Sequence, residues 1–127
     1  MIAEITLPGR PITKKNSQRI VTNRKTGRPM VIQSEQYVRY ETECLWRLKQ
    51  YRGPKFKCDV EVRALFHMPS KQRPDLCNLM QSIADILEKA GIIENDRNIA
   101  SWDGTRLMVD RDEPRVDIEI RKWEEGE

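Results

Sequence analysis

The sequence predicts an α+β fold, a single-layer mixed or antiparallel sheet with helices packed on it, and three observations carry that prediction. Residues 2–7 and 58–68 alternate apolar and polar side chains with the period of two that a half-buried strand requires. Residues 76–90 instead repeat their apolar side chains with the period of a helix. The order strand, hairpin, helix, strand, helix, two strands then builds one helical layer on one sheet. With 127 residues, the chain has the length of a single domain spanning 1–127, enough for one modest core.

The elements follow from local chemistry. Ile2, Ile5 and Leu7 open a strand that Pro8-Gly9 ends. Residues 10–19 read as a polar, basic loop. Residues 19–21 and 29–32 flank a Gly-containing connection, 23–27, as two strands of a hairpin. Ser34 is a helix N-cap with Glu35 in the first turn, and that helix runs to about residue 50, before Gly53-Pro54. Val60, Val62, Ala64 and Phe66 share one face of the strand 58–68, which Pro69 closes. A second helix follows Asp75 and ends near Gly91, whose missing Cβ suits a left-handed cap. Residues 99–109 read as one strand, 110–114 as a turn, and 116–123 as a last strand with Ile118 and Ile120 inward. The tail from Glu124 is expected to fray.

Composition narrows the function classes. No apolar run approaches the roughly 20 residues of a membrane span, and the N-terminus lacks the basic start and long apolar stretch of a secretory signal. A cytoplasmic protein without a membrane partner is expected. Cys44, Cys58 and Cys77 form no CxxC pair and His67 stands alone, which argues against structural zinc. Charge is uneven: residues 1–57 carry 13 Lys/Arg against 4 Asp/Glu, net +9, and residues 58–127 carry 10 against 16, net −6, giving +3 overall. A basic half joined to an acidic half suits a polyanion-gripping surface beside an acidic cluster.

The segment 73–97 carries the chemistry. At about 100° per residue, Leu76, Leu79, Met80, Ile83, Ile86, Leu87 and Ala90 fall on one side of the helix. Asn78, Gln81, Ser82, Asp85, Glu88 and Lys89 fall on the other. Asp75 stands at the helix entrance, where an aspartate after proline is also an ordinary N-cap. Asp96 lies beyond the helix end in the turn 94–97, where a loop aspartate is equally ordinary. If residues 98–109 return beside the strand 58–68, the two carboxylates meet at one end of the sheet. They then form a hard-oxygen site suited to Mg²⁺, which can activate water against a phosphodiester. The basic residues Lys14, Lys15, Arg19, Arg24, Lys25 and Arg28 supply a phosphate grip beside it, and Asn16 lies among them.

Two stretches resemble the RusA-like Holliday junction resolvases, a bacterial and phage family. Ile5-Thr6-Leu7-Pro8 followed by Pro11 and Asn16 is similar to the family's opening strand and loop. Asp75-Leu76-x-Asn78-Leu79, then Asp85, Leu87, Ala90-Gly91 and Asp96, follows its signature spacing; together the two span most of residues 4–106. The resemblance implies a dimeric endonuclease that cuts four-way junction DNA in recombination and repair, using Mg²⁺ or Mn²⁺. It implies Asp75 and Asp96 as catalytic residues and metal ligands, matching the first and third of three family aspartates. Arg106 matches a later basic position and joins the expected DNA contacts, as does Asn16.

The sequence departs from the pattern twice. Cys77 stands where the second aspartate is expected, and Gln81 where a lysine is expected. A thiol is a soft ligand poorly matched to Mg²⁺, so another oxygen must complete the set, with Asp85 and Glu88 on the polar face as candidates. Asp85 lies roughly 12 Å along the helix from position 77 by helical rise. The alternative is a junction-binding protein of the same fold with weakened or absent catalysis. A third class, a protein-interaction module, would use Tyr37, Tyr40 and Trp46, which read more simply as core or interface residues of the first helix.

Overall fold

The computed structural model describes residues 1–14, 18–72 and 74–124, with the backbone alone at 18, 19 and 31–33. Among the described residues, five of seven strands form a mixed sheet. β1 (Ile2–Pro8) pairs antiparallel with β7 (Arg115–Lys122), β7 antiparallel with β4 (Val60–Met68), and β4 parallel with both β5 (Ile99–Ser101) and β6 (Arg106–Val109). Among the described residues, β2 (Gln18–Thr22) and β3 (Pro29–Gln33) pair only with each other, as a separate ribbon.

The alternation read in the sequence sets the register. Ala3, Ile5 and Leu7 of β1, Val60, Val62, Ala64 and Phe66 of β4, and Val116, Ile118 and Ile120 of β7 all turn to one side and are buried. On that side lie α1 (Glu35–Leu48) and α2 (Leu76–Lys89), contributing Tyr37, Tyr40, Cys44, Leu48, Leu79, Ile83, Ile86 and Leu87 to the core. Ser34 caps α1 by accepting the Tyr37 N–H at 3.2 Å. Tyr37 and Tyr40 are therefore core residues, while Trp46 is exposed. Burial pushes the Cys44 thiol up to about 11, which keeps it inert, and Cys77 is exposed.

Three expectations are corrected. Residues 99–109 are two short strands, because the turn between them runs through Gly104 at φ +84°, where an added Cβ would lie 2.7 Å from Arg63 Cδ. The gap in the ladder is filled by a side chain: the Thr105 hydroxyl accepts the Ala64 N–H of β4 at 3.0 Å. Residues 10–14 are not a solvated loop, since Pro11 and Thr13 are buried. They lie against α2, where the Lys14 N–H donates to Ser82 Oγ at 2.9 Å and that hydroxyl donates to Asn78 O at 3.0 Å. Ser82, expected on the polar face, is accordingly buried. Among the described residues, no helix is long and apolar enough to cross a membrane.

Candidate active site

The site is built where α2 begins and where the chain returns beside it. Asp75 has extended backbone and caps α2, its Oδ1 accepting the Cys77 N–H at 2.8 Å. Its Oδ2 has no hydrogen-bond partner among the described residues and the residue is exposed. Asp75 is thus the helix N-cap, with its other carboxylate oxygen open to solvent.

Asp96 reaches the same helix by a reversal. Gly91 at φ +76° ends α2, and buried Ile92 and Ile93 pin the chain that follows. A short 3₁₀ helix, Asp96–Asn98, is capped by Asn95, whose Oδ1 accepts the Arg97 N–H at 2.9 Å. Glu88 of α2 holds its start, Oε1 accepting the Asp96 N–H at 2.8 Å. The Asp96 carboxylate then meets α2 from the side, Oδ2 accepting from Gln81 Nε2 at 3.4 Å.

Gln81 and Asp96 line one cleft of about 330 Å³ with Cys77, Arg97, Ile99 and Trp102, and Asp75, two residues before Cys77, is not among its lining residues. Positions 77 and 81 are one helical turn apart and therefore share this wall. The parallel pairing of β5 with β4, Val60 opposite Ile99, fixes the strand that leaves the cleft. Glu88 was expected as a spare ligand; in the structure its Oε1 instead holds the Asp96 backbone. Nothing in the residue pattern signals that role, because both glutamate and aspartate lie on polar segments.

Asp85, the other expected ligand, is not among the residues lining the cleft. Its Oδ2 lies 3.3 Å from Lys89 Nζ and 3.6 Å from Lys14 Nζ. Lys89 also donates to both carboxylate oxygens of Glu41 on α1 at 3.1 Å, and the Tyr37 hydroxyl donates to Glu41 Oε2 at the same distance. Partial burial works to lower the Lys89 ammonium, but the carboxylates of Glu41 and Asp85 outweigh it and raise its pKa. This cluster ties α1, α2 and the N-terminal segment together, and its acids already have cationic partners.

The expected DNA contacts are spread more widely. Lys14 is engaged with Asp85, while Arg24, Lys25 and Arg28 are exposed at the turn of the β2–β3 ribbon. Arg106 is exposed at the head of β6, outside the cleft lining. Lys15 and Asn16 lie outside the described residues, as does the side chain of Arg19.

A family model described as Endodeoxyribonuclease RusA matches residues 8–121. The chain is also similar to the Crossover junction endodeoxyribonuclease RusA of Aquifex aeolicus (strain VF5). The two are 28% identical over 86 residues, covering 67% of this chain and 68% of that one.

Proposed function

The chain belongs to the RusA endodeoxyribonuclease family, and from that premise we propose that it is a single-domain, structure-selective nuclease that cuts four-way DNA junctions by divalent-metal-dependent hydrolysis. The observation that carries this reading is the Asp96 carboxylate in a cleft whose wall on α2 includes Cys77, two residues past the open carboxylate of Asp75. The residues present fit a hard cation. Asp75 Oδ2 and Asp96 Oδ1 have no partner among the described residues, and the cleft offers an amide but no imidazole. Mg²⁺ or Mn²⁺ takes few protein ligands and keeps several waters. When bound, such a cation lowers the pKa of a coordinated water and offsets charge on the scissile phosphate.

The chain's own residues do the rest. Asp75 and Asp96 hold the cation, and Glu88 fixes the Asp96 backbone so that its carboxylate meets α2. Lys14, Lys15, Arg19, Arg24, Lys25, Arg28 and Arg106, with Asn16, grip phosphates; these contacts follow DNA charge and shape rather than base sequence. A homodimer presents two such clefts, matching the two equivalent strands of a four-way junction.

A second reading is favoured by one observation: Cys77 and Gln81, both uncharged side-chain types, line the cleft beside Asp96. It is a junction-binding protein with little or no cleavage. A synthetic four-way junction incubated with the chain in Mg²⁺, Mn²⁺ or EDTA separates the two. Metal-dependent paired nicks near the branch support the nuclease; tight, salt-sensitive binding without nicks supports the second reading.

A further inference from the structure

The β2–β3 ribbon has a feature that phosphate contact leaves unused. Neither strand joins the main sheet, and no residue from 20 to 30 is buried. Ile20 is 73% exposed and Met30 41%. The register puts Ile20 opposite Val31 and Val21 opposite Met30, so Ile20 lies on one face of the ribbon and Met30 on the other. An isolated two-stranded hairpin is marginal in water, and this one presents apolar side chains on both faces. Its turn is nonetheless closed: Asn23 Oδ1 accepts the N–H groups of Lys25 and Thr26 at 2.9 and 3.3 Å, and Gly27 takes φ +69°. The tip is thus a shaped, apolar-flanked prong.

Charge identifies what covers it. Residues 9–34 contain seven Lys/Arg and no Asp or Glu. Arg24, Lys25 and Arg28 are exposed, and among the described residues none of them takes an ion pair. A second copy of the ribbon seated across a two-fold axis would bring these cations together, which like-charge repulsion opposes. The partner that offers phosphates and flat apolar faces together is nucleic acid whose bases are accessible. In an intact duplex those faces are stacked away, whereas at a branch point the stack is interrupted.

We propose that the β2–β3 ribbon engages the branch point itself, Ile20 and Met30 packing against nucleobases unstacked there while Arg24, Lys25 and Arg28 hold the flanking phosphates. This rests on the reading of the chain as a junction-binding protein and adds to it the source of branch selectivity. Apolar wedges between base steps are an established way to hold distorted DNA. Cations alone grip any duplex equally.

The test uses the full chain in EDTA with a four-way junction carrying 2-aminopurine either at the branch or well along one arm. Wild-type binding should raise fluorescence at the branch position only. The double variant Ile20→Ser/Met30→Ser should lose most of that rise and bind the junction about tenfold more weakly, with duplex affinity and salt dependence unchanged. Ile20→Phe should keep the rise, which guards against a trivial loss through misfolding. Junction binding with an undiminished rise in the double variant would overturn this inference alone, as would an equal loss on junction and duplex. A dimer that the double variant splits to monomers, seen by sedimentation, would assign the ribbon to a second copy and overturn it too. Failure of the wild-type chain to bind the junction at all would overturn the functional reading and this inference with it.

Discussion

Acidic residues on and beside helix α2 stand in two settings, and the contrast bears on which of them could take a cation. Along one side, Asp85 faces Lys14 and Lys89, and Lys89 in turn holds Glu41 of α1. At the other, Asp75 and Asp96 have no cation within ion-pair distance among the described residues, and each keeps an oxygen without a partner. The residue type is the same. A carboxylate already neutralised by an ammonium has little left to offer a divalent cation, and displacing that ammonium would cost the tie between two helices. An unpaired carboxylate is stable only because it faces solvent, which is where an incoming metal and phosphate arrive.

The largest expected effect sets the two against each other. On the proposed reading, Asp96→Asn or Asp75→Asn lowers metal-dependent junction cleavage at least about 100-fold, with junction binding near wild type, because a metal-bearing carboxylate is removed. Asp85→Asn leaves cleavage within about threefold, since its charge serves Lys14 and Lys89. Rates from single-turnover cleavage decide it; equal losses in both would erase the distinction.

The cleft wall gives the next test. Cys77→Asp adds a hard oxygen beside Asp75, and Cys77→Asp/Gln81→Lys adds a cation one turn on that can stabilise phosphate charge. Cleavage should rise by about tenfold or more in the double variant if the uncharged side chains limit the wild type. A fall from an already robust wild-type rate would show that the chain uses a different ligand set.

Smaller effects belong to the supporting side. Lys89→Met leaves Glu41 and Asp85 without their shared partner and should cost about 0.5–1 kcal/mol in urea unfolding, the upper end for a solvent-screened pair. An unchanged midpoint would reduce the cluster to solvated surface. Acid sensitivity should come from elsewhere. A hydrogen bond from Arg121, with Arg63 nearby, holds the Glu119 carboxyl below the ordinary glutamate range. A lowered folded pKa stabilises above the unfolded value, and that contribution disappears as pH falls through the folded one. Arg121→Gln should therefore lower the melting temperature slightly at about pH 6, and by progressively less as the pH is taken down below the ordinary glutamate range.

Much of this contrast was legible in sequence, and the illegible part has a common cause. The apolar period of 76–90 and the Pro74-Asp75 entrance give α2, its buried face and its cap, because those features are local. The return of residues 98–109 beside the strand 58–68 was conditional in sequence and is realised in the pairing of β5 and β6 with β4. What a helical wheel does not contain is the segment that covers a polar position from afar. Ser82 is buried by residues nearly seventy positions earlier, and Asp85 finds Lys14 in that same segment. Glu88 holds the Asp96 backbone for the same kind of reason: the partner is set by how Gly91 turns the chain. Tyr37, Tyr40 and Trp46 show the limit from the other direction, since composition groups three aromatics that the packing divides into two core residues and one exposed.

The bond between Ser82 and position 14 is made by the main-chain N–H of Lys14, not by its ammonium. That hydrogen bond is therefore open to any non-proline residue at 14, whereas the ion pair with Asp85 needs a cation there. A neutral side chain at 14 would retune how the protein meets DNA and keep the main-chain bond to α2, while an acidic one would face the Asp85 carboxylate. The hydroxyl at 82 has no such freedom, because its loss leaves a main-chain donor and the Asn78 carbonyl without this partner. Variation at the one position and constancy at the other would be two signs of a single attachment.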